Sequence, residues 1–192
     1  MVDCKDSKES NSKTCQIHIK KCNNHHPPSK LRPLIPYFGG KSRVSNEIVC
    51  KMPEHKVYLE PMAGGASVYW KNDIPQKSVI NDLNKDIYTL YKETKENPNK
   101  AKKCDPNGKK DRFNSIKNKS NKNVCDVLFI QKNSFSGTNN NYARKDRKLT
   151  NPITDEHINK LKRTTILNQD FKKVIEKAID RRINYHVNRI VI

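Results

Sequence analysis

No stretch of this 192-residue chain approaches the roughly 20 consecutive apolar residues that a bilayer-spanning helix requires, which argues against a membrane protein. The opening residues, Met1-Val2-Asp3-Cys4-Lys5-Asp6, lack the apolar core of a secretory signal, so a soluble, intracellular protein is expected. Cysteines Cys4, Cys15, Cys22, Cys50, Cys104 and Cys125 are scattered without the spacing of a disulfide framework, and reduced thiols are the expectation. Acids are scarce: 20 Asp and Glu face 39 Lys and Arg, a net charge of +19. That imbalance favours a polyanionic partner, with nucleic acid the natural candidate, through phosphate neutralisation and counterion release. The alternative is lysine spread over solvated faces, which the many Asn-Lys pairs also suit.

The first 30 residues are polar and place Cys15, His18, Cys22, His25 and His26 close together. The gap from Cys15 to Cys22 is too wide for the close cysteine pairs of a structural zinc site, so no metal is assigned and a disordered polar tail is expected. Residues 31–192 are long enough for one domain with a single core.

What the chain does contain is two glycine-bearing segments, Pro36-Tyr37-Phe38-Gly39-Gly40-Lys41 and Leu59-Glu60-Pro61-Met62-Ala63-Gly64-Gly65-Ala66-Ser67-Val68, followed by Ile80-Asn81-Asp82-Leu83-Asn84. Glycine pairs let a ligand approach the main chain. Short apolar runs at 57–59 and 78–80 read as buried parallel strands ahead of the second turn and of the acid. In nucleotide-binding βαβ units an acid for the ribose hydroxyls follows the first turn by roughly 20 residues, and Asp82 stands 22 positions after Glu60. A Gly-x-Gly-x-x-Gly fingerprint is absent after Glu60, which argues against a nicotinamide dinucleotide enzyme.

In order and context these segments resemble the Dam-like class of DNA adenine-N6 methyltransferases. Tyr37, Gly39, Gly40 and Lys41 fill the first family segment, with Phe38 where alanine is usual. Glu60, Pro61, Gly64, Ala66, Ser67 and Val68 fit the second, with Met62 for the aromatic, and Asn81-Asp82-Leu83-Asn84-Lys85-Asp86 matches the third. The resemblance implies an α/β, Rossmann-like methyltransferase fold with an incomplete sheet and a small helical and loop insertion for DNA recognition. It also implies S-adenosylmethionine as cofactor, with Tyr37, Lys41, Glu60, Gly64, Asp82, Asp170 and Phe171 around it, Asp170 accepting from the adenine amine and Phe171 packing on the ring. Asp170 alternatively caps the helix that follows. Double-stranded DNA, wherever in the cell it lies, becomes the expected partner.

Periodicity predicts helices at 44–52, 66–71, 85–95, 154–162 and 171–179, with Pro98 ending the third, and a strand at 164–167. The apolar finish Ile190-Val191-Ile192 reads as the start of a fourth strand. The lysine- and asparagine-rich stretch 97–123 reads as a loop or weakly helical insertion, part of an expected target-recognition region at 97–150. An apolar patch at 127–130 leads into the run from Asn133 to Lys148. Within that run Asn133 and Asn139 suit adenine edges, Phe135 and Tyr142 suit stacking, and Arg144, Lys145 and Arg147 suit guanine or phosphates; an ordinary surface loop is the alternative.

The family's catalytic Asp-Pro-Pro-Tyr or Asn-Pro-Pro-Tyr motif does not occur in the 192 residues. Its acid or amide would hold the target N6 while its aromatic stacks on the flipped base. His26-Pro27-Pro28-Ser29 and Cys104-Asp105-Pro106-Asn107 lack the preceding strand and do not replace it. Weak or absent activity is therefore expected for the chain alone, unless a second chain supplies the motif. A non-catalytic DNA-binding module is the competing expectation.

Overall fold

A computed structural model describes residues 28–73, 77–143, 148–183 and 189–192. Arg144, Lys145, Arg147 and the cysteines and histidines of the first 27 residues lie outside it. Four short strands, β1 (Val57–Glu60), β2 (Lys77–Asn81), β3 (Thr164–Leu167) and β4 (Arg189–Val191), form one sheet in the order β3-β2-β1-β4. Every neighbouring pair is parallel: Leu59 pairs with Val79 on one side and Val191 on the other, and Ile80 pairs with Ile166. The chain thus builds outward from β1 through β2 to β3, then returns to the far side of β1. A parallel sheet is covered by its crossover helices, and accordingly Tyr58, Leu59 and Glu60 are all buried.

Helices α1 (Ser45–Lys51), α2 (Ser67–Lys71) and α3 (Lys85–Glu96) fall where periodicity puts them. Asn84 caps α3 by accepting from the Asp86 N–H at 2.9 Å, and Ile87, Leu90, Tyr91 and Thr94 form its buried stripe. Trp70 of α2 is fully buried, its ring edge-on to Tyr69 at 4.7 Å and to His157 at 4.8 Å. The carbonyls at the end of α2 would be orphaned, but the buried Lys160 ammonium donates to Trp70 O at 3.3 Å and Asn72 O at 2.6 Å. Ahead of these elements, the Ser29 amide donates to Lys71 O at 2.9 Å, which ties residue 29 to the end of α2.

The region 97–123, read as a loop or a weakly helical insertion, is helical over two stretches. Pro98 does not simply end α3: after Asn97 it opens a further helix, α4 (Pro98–Lys102), as proline at a first helical position can. A second helix, α5 (Lys110–Lys117), buries Phe113 and Ile116 against Phe129 and Ile130 of α6 (Val124–Asn133), a satellite cluster to the main core. Helix α6 is fixed at its start by an Asn123–Asp126 capping box. Cys104 and Cys125 are joined by a disulfide of 1.97 Å, correcting the expectation of reduced thiols. After α6 come a 3₁₀ turn (Phe135–Gly137), α7 (Asp155–Lys162), capped by Thr154, and α8 (Phe171–Ile183). Among the described residues no helix is long and apolar enough to cross a membrane.

A cleft at the carboxyl ends of the strands

Strand β1 delivers Glu60 to the carboxyl edge of the sheet, where the chain turns sharply through residues 61–66. Gly64 has φ +49°, and a Cβ there would lie 2.7 Å from the Tyr37 ring, so the absence of a side chain lets Tyr37 lie against the turn. Ala66 adopts φ +51°, a left-handed conformation uncommon for alanine. The Gly64 N–H donates to Asp82 Oδ2 at 2.7 Å, and the Gly64 carbonyl accepts from the Tyr91 hydroxyl at 2.7 Å. Ser42 and Ser67 hydroxyls meet at 2.9 Å, tying the first glycine segment to the second.

The result is a cleft lined by residues 37–41, Glu60 and residues 62–67. Tyr37, Lys41, Glu60 and Gly64 therefore face one space, and Asp82 joins them through its bond to Gly64. The other Asp82 oxygen accepts from the Asn84 N–H at 2.9 Å, which orients the carboxylate at the end of β2. Phe38 and Met62, 71% and 63% exposed, give the cleft an apolar rim.

Glu60 is 3% exposed. Its Oε2 accepts from the Tyr58 hydroxyl at 2.7 Å and the Tyr69 N–H at 3.2 Å, while Oε1 has no hydrogen-bond partner among the described residues. Burial pushes the carboxyl up to about 7, and the negative charge of Asp82 adds to it; the bonds from Tyr58 and Tyr69 and the charge of Lys41 pull the other way. Tyr37 is also raised, by burial first and then by Asp82.

Asp170 and Phe171 do not line the cleft. They lie past the end of β3, at the neighbouring stretch of the same sheet edge, with Phe171 36% exposed. Asp170 Oδ1 accepts from the Lys172 N–H at 2.8 Å, the geometry of a cap on α8. Sequence reasoning missed Asn81, whose buried side chain bridges the ends of β1 and β3. Its only signal was its place beside Asp82.

The asparagine-rich run forms a tight loop, closed by a Ser134–Tyr142 bridge and by the Phe135 N–H donating to Asn141 O at 2.9 Å. Gly137 at its tip, φ +71°, sits where a Cβ would come within 2.7 Å of Pro36 O, so the loop leans directly on the first glycine segment. Phe135 is 66% exposed beside it. Asn133, expected at a base edge, is instead 2% exposed, with its amide donating to Pro106 O at 2.7 Å and Phe129 O at 2.8 Å. Both amide hydrogens serve the fold. Tyr142 packs edge-on to Phe113 at 5.7 Å and donates to Gly108 O at 3.0 Å, which commits its ring to α5. Asn139 takes φ +61° with a buried, unpartnered Oδ1.

Residues 37–132, half of the chain, match the family described as D12 class N6 adenine-specific DNA methyltransferase, and the chain belongs to that family. Among curated proteins it is 38% identical over 69 residues to a type II methyltransferase of Lactococcus lactis subsp. cremoris, covering 35% of this chain and 24% of that one. It is 36% identical over 61 residues to the DNA N-6-adenine-methyltransferase of Escherichia phage P1, covering 32% of this chain and 8% of the relative. The alignments thus span less than a quarter of the length of these relatives.

Proposed function

We propose that this chain holds S-adenosylmethionine in the cleft between Tyr37 and Gly64 and serves methyl transfer to adenine N6 in double-stranded DNA. The observation that carries the reading is the convergence of Lys41, Glu60 and Gly64 on one cleft, with Asp82 bonded to its floor. The donor set fits the ligand's chemistry. Its ammonium calls for an acceptor such as Glu60 Oε1, its carboxylate for a cation such as Lys41, and its ribose diol for a carboxylate such as Asp82. Asp170 and Phe171 lie along the same edge to meet the adenine amine and ring. The cofactor supplies an electrophilic sulfonium methyl; the residues bind and orient it. The strand order 3-2-1-4 is that of one half of the Rossmann arrangement plus the first strand beyond its reversal, which supports a Rossmann-like assignment.

The exposed Phe135, with Lys117 donating to Asn140 O at 2.7 Å in the same loop, suits DNA held above this edge, with the 97–150 region as its recognition insertion. The Asp-Pro-Pro-Tyr motif is not within these 192 residues, so in this proposal they supply cofactor and DNA binding, and methyl transfer requires the motif from outside them. Calorimetric titration with S-adenosylmethionine tests the reading. Saturable binding lost in Asp82→Ala supports it, whereas salt-dependent DNA binding with no cofactor affinity favours a non-catalytic DNA-binding module.

A further inference from the structure

We propose that Asn81 is a positioning residue of the cofactor cleft, setting the distance between the Glu60 turn and the Asp170–Phe171 pair; the inference rests on the cofactor reading above. Asn81 is the last residue of β2 and is 1% exposed. Its side-chain amide donates to Pro61 O at 2.8 Å and to Gln169 O at 2.9 Å, and its Oδ1 accepts from the Gln169 N–H at 2.9 Å. Its main-chain carbonyl accepts from the Ala63 N–H at 2.9 Å. One side chain therefore fixes both main-chain polar groups of Gln169, the residue just before Asp170, and the carbonyl of Pro61, the residue just after Glu60.

No other amino acid of this size offers two donors and an acceptor in a plane. Aspartate cannot donate to the two carbonyls, and leucine or alanine leaves three polar groups, buried or partly buried, without this partner. Asn168 adds a parallel tie, its amide donating to Asp82 O at 2.7 Å and Leu83 O at 3.0 Å, but it is exposed and reaches only the β2 side. Asn81 alone among the described residues holds the β1 turn and the β3 turn with one side chain. Asp170 is left with one oxygen committed to capping α8 and Oδ2 without a hydrogen-bond partner among the described residues, so its aim depends on where Gln169 is pinned. Loss of the clamp should move Asp170 and Phe171 relative to Glu60 and loosen the adenine end of the ligand.

The test is a double-mutant cycle on the full chain, with Asn81→Ala, Asp170→Ala and the pair, titrated with S-adenosylmethionine and with an adenosine thioether that lacks the amino-acid arm. Asn81→Ser serves where Asn81→Ala does not fold, as judged by circular dichroism. The inference predicts that the Asn81 change weakens both ligands by the same factor, about tenfold, and that adding Asp170→Ala costs less than about twofold more, since both act through one contact. A folded Asn81 variant that binds both ligands within about twofold of the unmodified chain overturns it, as do independent, multiplying effects of the two changes. No binding of either ligand by the unmodified chain removes the cofactor reading itself, and this inference with it.

Discussion

At Glu60 ionisation and ligand binding are linked. Its folded-state value of about 7 stands above the ordinary 4.5, so between those pH values the folded chain keeps a proton that the unfolded chain has released. Stability contributed by that proton is fully present below about 4.5, declines as pH rises through the window, and is gone above about 7. Glu60→Gln should therefore be more stable than the unmodified protein at pH 8, by roughly 2 kcal/mol, and scanning calorimetry showing a lower melting temperature contradicts this. The same change should remove the Glu60 part of the pH dependence of S-adenosylmethionine affinity, the strengthening as pH rises through about 7 and the carboxylate ionises. Gly64→Ala faces both a positive φ and the Tyr37 ring, and should cost at least about 2 kcal/mol in denaturant unfolding. Ala66→Gly relieves a left-handed alanine and should be neutral or stabilising. From sequence, the glycines and acids of the cleft were visible because their types and order are unusual. The role of Asn81 was not, because it depends on two turns 20 and 88 residues away. Asn133 misled for a related reason: an asparagine in a polar run looks the same whether its amide faces water or closes a buried gap.

Among the elements, strands and amphipathic helices declared themselves through their own periodicity, and β3 falls at residues 164–167 as read. Helices α4 and α5 were legible only as the weakly helical alternative to a loop. The partners that bury Phe113 and Ile116 are Phe129 and Ile130, on a helix further along the chain, so the local text, with two apolar residues among lysines and asparagines, supported no more than a loop or a weakly helical insertion. The Cys104–Cys125 pair was equally silent, since proximity across 21 residues is set by the turn after α4 and the start of α6. This bond encloses α5, whose Phe113 and Ile116 meet Phe129 and Ile130 beyond the loop in a cluster too small to hold the segment firmly by itself. Closing a loop of that length contributes about 3 kcal/mol. Thermal melting of the oxidised protein should accordingly fall by several degrees on adding reductant, and Cys125→Ser should melt like the reduced form. Alkylation of both cysteines in unreduced, denatured protein counts against the bond.

For the molecule as a whole, the charge of +19 sets the expected behaviour toward DNA. Affinity for a duplex should drop at least about tenfold between roughly 50 and 200 mM salt; a change below about twofold in fluorescence anisotropy argues that the lysines merely solvate the surface. The α/β character was readable because a parallel sheet writes its strands as short apolar runs between turn residues. The arrangement of the asparagine-rich loop was not, because nothing local says that its tip rests on a segment a hundred residues earlier.

That resting place has a thermodynamic corollary. With Gly137 pressed on the carbonyl of Pro36 and Tyr37 pressed on Gly64, any ligand that repositions the loop must push on the wall of the cleft, and the reverse holds. In a closed cycle the two occupancies then assist or oppose each other by one shared factor, whichever is added first. A methyl group introduced at position 137 should force the loop off the Pro36 carbonyl, and titration of each ligand with and without the other should then show a changed shared factor.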